Sequence, residues 1–165
     1  MWIYSKGNMI FLKRKLRYIF LALIIGLVGI QFFPASINQD TTILPIDFSK
    51  TFNTPDEIQN ILKTSCYDCH SNNTNYPWYS KIQPGAWFME NHIKEGKDEL
   101  NFSEFGEYSK RIQKSKLKSI ISQIKDDEMP LISYTLFHRD AKLSERDKEI
   151  LVEWFTAIRD DLIKK

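Results

Sequence analysis

Residues 66–70 read Cys66-Tyr67-Asp68-Cys69-His70, and this C-x-x-C-H stretch contains both cysteines of the 165-residue chain. Two thiols at this spacing can add to the two vinyl groups of one haem, and the histidine that follows can then ligate the iron. The motif therefore predicts covalently attached haem c, with Cys66 and Cys69 as the attachment sites and His70 as the proximal iron ligand.

Three other chemistries use a C-x-x-C pair. A redox dithiol is expected in a thioredoxin-like βαβ context, and the sequence has no run with strand-like alternation. A structural zinc site would combine Cys66 and Cys69 with two histidines, but His92 and His138 are far apart in the chain. A plain local disulfide is the third. Haem explains the motif best, and zinc and thiol chemistry remain as alternatives.

The composition narrows the class of protein. Hydrophobic residues make up 42% of the chain and charged residues 27%, which is typical of a globular protein and excludes disordered and collagen-like classes. A net charge of +2, from 23 basic and 21 acidic residues, gives no basis for a nucleic-acid partner. No nucleophile–base pair or glycine-rich phosphate loop stands out, so no catalytic residues are predicted and an enzyme is the less favoured interpretation.

The N-terminus carries a basic segment, residues 1–15, followed by sixteen uncharged residues, Tyr18 to Phe33. This order is typical of an export signal with its positive side inside. At roughly 1.5 Å per residue the run covers about 24 Å of a hydrocarbon core near 30 Å. Only Ala35 and Ser36 offer small residues for cleavage, so we expect residues 16–34 to be an uncleaved transmembrane anchor rather than a removed signal peptide. The chain would then cross the cytoplasmic membrane once, with its C-terminal domain on the periplasmic side.

The remaining sequence predicts one helical domain. Residues 35–53 have little periodicity and are predicted to be a linker, and the folded domain is expected to cover residues 54–165. Apolar residues at helical spacing predict a long helix that ends near Lys125 and a final helix that Ser144 opens, with Asp147 as its capping partner. The predicted fold class is therefore all-α, a small cytochrome c-like domain with long loops around a haem.

The segment after the motif is rich in aromatic residues. A short helix is predicted over Ala86–Glu95, with Gly96 as its stop. The apolar faces of a haem must leave water, and aromatic rings supply the area that covers them. The aromatic residues predicted to bind the cofactor in this way are Tyr76, Trp78, Tyr79 and Trp87.

One histidine leaves the sixth position on the iron to be filled. Met129 precedes Pro130 in the loop before the last helix, and a thioether is a soft iron ligand that raises the reduction potential. We expect Met129 to be the sixth ligand, with His92 and His138 as alternatives. A site left open would allow O₂ or peroxide chemistry.

With these motifs, residues 54–160 resemble the small haem-binding domain of exported bacterial proteins and, more distantly, class I c-type cytochromes. The matching elements are C-x-x-C-H-S-N from Cys66, Y-P-W-Y from Tyr76, W-x-x-x-x-H from Trp87, Met129-Pro130, and the final helix with the Leu143-Ser144 pair at its start. The resemblance implies covalent haem c in an electron-transfer or haem-sensing role. It also implies a sulfur ligand at Met129 and a backbone carbonyl at Pro84 that orients His70.

The sequence thus predicts a membrane-anchored, exported c-type haem protein that carries single electrons between redox partner proteins. The alternative is a haem peroxidase-like or haem- or gas-sensing domain with an open sixth iron site. A structural zinc-binding domain is a less favoured alternative.

Overall fold

Helices dominate the structure. The computed structural model describes residues 4–164, with side chains from residue 11 onward, and within this range it has no strand beyond an isolated bridge between Gln39 and Asn73. The α-helices are α1 (Tyr4–Ile30), α2 (Phe48–Thr51), α3 (Asp56–Ser65), α4 (Tyr67–His70), α5 (Gly85–Glu99), α6 (Lys110–Lys125), α7 (Ile132–Thr135) and α8 (Glu145–Lys164). Short 3₁₀ helices span Trp78–Lys81, Phe102–Glu107 and Arg139–Ala141. The all-α prediction is confirmed.

The chain folds into two compact units. The N-terminal unit comprises the chain up to Ser36 together with Tyr76–Glu90, and the larger unit comprises Ile37–Asn75 and the chain from Asn91 onward. Residues 1–3 of the predicted basic segment and residue 165 of the predicted domain lie outside the described residues.

The N-terminal unit contains α1 and the segment that follows it. Hydrogen bonds connect this segment to residues 76–90: the backbone N–H of Gln83 donates to Gln31 Oε1 at 3.0 Å, and Trp87 Nε1 donates to the carbonyl of Phe33 at 3.1 Å. These bonds explain how part of the aromatic-rich segment comes to pack with the chain that follows α1.

Helix α1 differs from the predicted membrane anchor over residues 16–34. It ends at Ile30, so its uncharged part is the 13 residues from Tyr18, and the turn before that part contains several cations, among them Arg14 and Arg17. Among residues 4–164, no helix combines the length and the apolar composition needed to span a bilayer. The expected anchor helix is therefore not supported.

The core of the larger unit centres on Phe48, which is completely buried. Its ring meets those of Phe102 and Phe105 edge to face, with centroids 5.2 and 4.9 Å apart, and it also packs against Trp154 and Phe155 of α8. Such aromatic contacts add to the free energy gained by burying apolar area.

The structure differs from the linker predicted over residues 35–53. Within residues 35–53, α2 forms a helical turn, Asp47 caps it by accepting a hydrogen bond from the N–H of Ser49 at 2.8 Å, and Phe48 enters the core. The structure therefore assigns the chain from Ile37 to the larger unit.

The two long helices of the larger unit, α6 and α8, pack against each other through residues such as Leu117, Ile121 and Leu151. The capping prediction for α8 is confirmed. The N–H of Ser144 donates to Asp147 Oδ2 at 3.0 Å, and the N–H of Asp147 donates to Ser144 Oγ at 3.2 Å. Helix α6 ends at Lys125, as the periodicity predicts.

Candidate functional site

A cavity of about 960 Å³ lies within the larger unit, beside the C-x-x-C-H motif. This volume is at the upper end of the range of about 300–1,000 Å³ found for small-molecule and cofactor pockets. Its walls come from α3 to α6, from the segment around Met129 and Tyr134, and from α8. Cys66, Cys69 and His70 all line it, so the three residues predicted to hold a haem share one cavity.

The helical turn of α4 brings these three side chains together. Helix α3 runs directly into Cys66, whose N–H donates to the carbonyl of Leu62 at 2.9 Å. The N–H of His70 in turn donates to the carbonyl of Cys66 at 3.0 Å. Tyr67 is anchored to the core by stacking on Phe102, with ring centroids 5.2 Å apart. The turn is therefore fixed to the core while both cysteines and His70 line the cavity.

His70 is oriented by two backbone carbonyls. Its Nδ1 lies 2.8 Å from the carbonyl oxygen of Gly96 and 3.1 Å from that of Leu100. Because both partners can only accept, Nδ1 carries the proton, and Nε2 of the neutral ring is the nitrogen left with a free lone pair. Burial lowers the pKa of His70, although the two carbonyls oppose this shift. A neutral imidazole with a fixed tautomer is the form that ligates a metal.

Gly96 allows this arrangement because it lies against the backbone of Cys69. A Cβ atom at position 96 would lie 2.8 Å from the carbonyl oxygen of Cys69, closer than real Cβ contacts allow. The prediction that Gly96 ends its helix is wrong, since α5 continues to Glu99. The carbonyl partners of His70 are Gly96 and Leu100, so the carbonyl inferred at Pro84 is also a wrong assignment.

The environment of the two thiols bears on the alternatives to haem. Burial is the larger cause and the neighbouring Cys69 the smaller one, and together they raise the pKa of Cys66 from 9.0 to about 12. Burial, and to a smaller extent the negative charge of Asp68, raises the pKa of Cys69 to about 11. Redox-active dithiols have the opposite property, a lowered pKa that supplies a reactive thiolate. The structure therefore disfavours a redox dithiol.

A zinc site also lacks the ligands it needs. Nowhere in the described part of the chain do three or more His, Cys, Asp or Glu side chains come together so that they could hold a metal ion. Structural zinc requires four such ligands. A haem requires fewer protein ligands, because the porphyrin supplies four nitrogens to the iron.

Two of the three candidates for the sixth ligand line the same cavity as His70. These are Met129, in the segment after α6, and His92, on α5. His138 is not among the lining residues, and its ring stacks on that of Tyr134 with centroids 4.3 Å apart. The structure thus retains Met129 and His92 as candidates beside the proximal histidine.

The four aromatic residues predicted to cover the haem belong to the N-terminal unit. They do not appear among the residues that line the cavity, and the side chain of Trp78 is 76% exposed. Their role in binding the cofactor stays a prediction. The apolar wall of the cavity comes instead from residues of the larger unit, among them Leu62, Ile120, Ile124, Leu143 and Phe155.

The residues present fit a haem. The cavity combines two protonated thiols, a neutral imidazole with one free nitrogen, a methionine and an apolar wall. The sequence points to the cysteines, His70 and Met129, but not to the carbonyls of Gly96 and Leu100. The available signal was a glycine inside a helical pattern, which often marks a close backbone contact.

Comparison with known proteins agrees with this chemistry. The family model of the haem-binding domain matches residues 25–157, which is most of the chain. None of the curated proteins and none of the solved structures matches the chain. The chain therefore belongs to the haem-binding domain family.

Proposed function

We propose that this haem-binding protein attaches its haem covalently through Cys66 and Cys69 and serves as a one-electron carrier. The observation that carries the proposal is the shared cavity. Both thiols and His70 line it, and Nδ1 of His70 is already bonded to the carbonyls of Gly96 and Leu100. The only two cysteines of the chain are thus beside a histidine whose remaining nitrogen is available to iron.

The attachment step needs no oxidant or reductant. Each thiol adds its S–H across one vinyl double bond, so a carbon–sulfur bond forms, the hydrogen goes to the other vinyl carbon and nothing leaves. The raised pKa of both thiols keeps them in the S–H form up to high pH. The protein contributes placement, because Cys66 caps α4 and Cys69 lies within it, so that both thiols line the same cavity.

His70 and Met129 would hold the iron, with His92 as the alternative to Met129. The haem would supply one-electron redox chemistry when bound. The carbonyls of Gly96 and Leu100 hold the ring of His70, and the apolar part of the wall would lower the effective dielectric constant around a bound haem.

We also propose that the larger unit functions outside the cytoplasm, where redox partner proteins would reach it. Two features support this. Covalent haem attachment takes place there, and the basic residues before Tyr18 are followed by an uncharged run, of which the 13 residues up to Ile30 belong to α1. That length fits the apolar region of an export signal, which is about 7–15 residues. Fractionation of cells that produce the full chain tests the proposal, which fails if the haem-loaded protein is recovered with the cytoplasmic fraction.

The experiment that tests the electron-carrier function uses the full chain produced with a cytochrome c maturation system. Potentiometric titration followed by optical spectroscopy is expected to show one reversible transition that fits a single-electron Nernst curve. The reduced protein is expected to have a low-spin spectrum and to bind carbon monoxide poorly, because both axial positions are filled. A high-spin spectrum with rapid ligand binding and peroxide turnover would contradict the carrier function and favour a peroxidase-like or sensing domain.

A further inference from the structure

The cavity beside the cysteines has a second chemical character, a cationic side on α6. We infer that Arg111 and Lys116 bind the two propionate carboxylates of the haem and so set its orientation in the cavity. This inference rests on the proposed function, since it names the residues that would recognise the polar edge of the same cofactor.

Helix α6 lines the cavity along most of its length. Residues Ile112, Ile120 and Ile124 give it an apolar stripe, and the polar residues that line the cavity lie beside this stripe at helical spacing. The polar lining residues of α6 are Arg111, Ser115, Lys116, Ser119 and Gln123. Both cations therefore lie in the first half of the helix, whereas Ile120 and Ile124 lie in its second half.

The second half of α6 and the first cysteine contact the same buried core cluster. Ile124 belongs to the buried core cluster, and Ile120 and Cys66 both pack against that cluster. Residues Arg111 and Ile124 are 13 positions apart, which corresponds to about 20 Å along a helix. The first half of α6 thus contributes two cations to the cavity wall, and its second half contributes Ile120 and Ile124.

A haem has the same asymmetry. Its two vinyl groups, which would bond to the cysteines, occupy one half of the porphyrin, and its two propionates occupy the other half. With the vinyl half bonded to Cys66 and Cys69, the carboxylates would face the rest of the cavity wall, where Arg111 and Lys116 are cations. Matching the apolar and anionic halves to the cavity in this way places the propionates near Arg111 and Lys116.

Both cations are available for this role. No ion pair among the described residues involves Arg111 or Lys116. Lys116 Nζ donates to the backbone carbonyl of Glu99, which leaves two of its three N–H groups for a ligand. Three acidic residues, Asp68, Glu95 and Glu99, also line the cavity, but from α4 and α5 rather than α6. Arginine and lysine bind carboxylates through charge-assisted hydrogen bonds, and arginine can do so with two bonds at once.

The test compares two porphyrins that differ only in their carboxylates. The full chain with Cys66→Ala and Cys69→Ala has no thiol left for covalent attachment, so any binding is reversible. The affinities for ferric protoporphyrin IX and for its dimethyl ester are then measured by the Soret change in one detergent buffer. We expect the free acid to bind at least about tenfold more tightly, since a hydrogen bond to a charged group contributes this much. Adding Arg111→Gln and Lys116→Gln is expected to abolish the preference.

Lys118→Gln is the matched control, because it removes the same charge from an exposed position of α6 that does not line the cavity. The preference should survive in this variant. If the chain binds both porphyrins equally, or if Lys118→Gln removes the preference as much as Arg111→Gln does, the inference is wrong while haem binding stands. If neither porphyrin binds the variant, the inference is wrong; if the matured wild-type chain also carries no haem, the proposed function itself fails.

Discussion

Tyr134 Oη donates a hydrogen bond to Asp68 Oδ2 across 2.6 Å. Asp68 is one of the two residues between the cysteines, and Tyr134 lies five positions after Met129. Asp68 Oδ1 in turn accepts a hydrogen bond from the N–H of Asn75 at 2.9 Å. This contact therefore joins the segment that carries the proposed sixth ligand to the turn that carries both thiols and the proximal histidine.

The bond between Tyr134 and Asp68 should stabilise the protein. Burial and then the Asp68 carboxylate raise the pKa of Tyr134, so the phenol stays protonated and remains a donor. A hydrogen bond to a charged group contributes about 1.5 kcal/mol or more. We expect Tyr134→Phe to lower the free energy of unfolding in urea by about this amount.

A double-mutant cycle with Asp68→Ala separates this bond from the other contacts of each residue. The two substitutions should be non-additive, with a coupling energy of about 1 kcal/mol. Additive effects would show that the contact contributes nothing to stability.

Replacing Gly96 tests how α5 packs against the motif. In Gly96→Ala the new methyl group would overlap the carbonyl of Cys69, so α5 must move away and weaken the hydrogen bonds to His70. Overpacking of this kind costs about 1–3 kcal/mol, to be measured by urea unfolding. The control is Gly85→Ala in the same helix, where the Cβ would meet only an ordinary contact at 3.5 Å. Equal effects of the two substitutions would contradict the close contact.

The identity of the sixth ligand can be decided between Met129 and His92, both of which line the cavity. If sulfur binds the iron, Met129→Ala should lower the reduction potential and remove the far-red absorption band of a sulfur–iron bond, whereas His92→Ala should change neither. Met89→Ala is a suitable control, because Met89 does not line the cavity. The reverse pattern would assign the sixth position to His92.

The sequence predicts well what depends on local spacing. The C-x-x-C-H motif identifies Cys66, Cys69 and His70 because their chemistry is set by positions three and four residues apart. The reciprocal cap between Ser144 and Asp147 is equally local, and the structure confirms it.

The sequence does not predict contacts between segments that are far apart in the chain. Phe48 lies in a stretch without periodicity, so its place at the centre of the core depends on Phe102, Phe105 and Trp154 far along the chain. The local pattern predicts that Gly96 ends its helix. The contact that explains this glycine is with the backbone of Cys69 in another helix, and the local pattern does not contain it. No pattern within one segment contains either contact.

The haem-free protein should show unreactive thiols. Because the thiolate is the nucleophile, raising the pKa of Cys69 from 9.0 to about 11 lowers its reactive fraction at pH 8 about a hundredfold. Alkylation with iodoacetamide in native buffer should therefore be much slower than in urea, and its rate should rise with pH. Rapid alkylation of the native protein at pH 7 would indicate a redox-type dithiol instead.

The raised pKa values of Cys66 and Cys69 also predict how the free energy of unfolding depends on pH. Folding raises the pKa of both thiols above the unfolded value of 9.0. Such a group contributes its full stability below the unfolded pKa, and this contribution is lost as the pH rises through the folded pKa. The free energy of unfolding of the haem-free protein should thus fall from about pH 9 upward. A Cys66→Ala, Cys69→Ala variant should lose this part of the dependence. An unchanged profile in that variant would assign the alkaline loss to other groups.

Covalent bonds from haem to the sulfur atoms of Cys66 and Cys69 can be detected by the intact mass of the denatured, matured protein. We expect a polypeptide that keeps its pigment in acid and organic solvent and whose mass rises by one haem without loss of hydrogen. The Cys66→Ala, Cys69→Ala variant should run at the mass of the polypeptide alone. A wild-type protein that sheds its pigment under these conditions and shows only the polypeptide mass would contradict the claim.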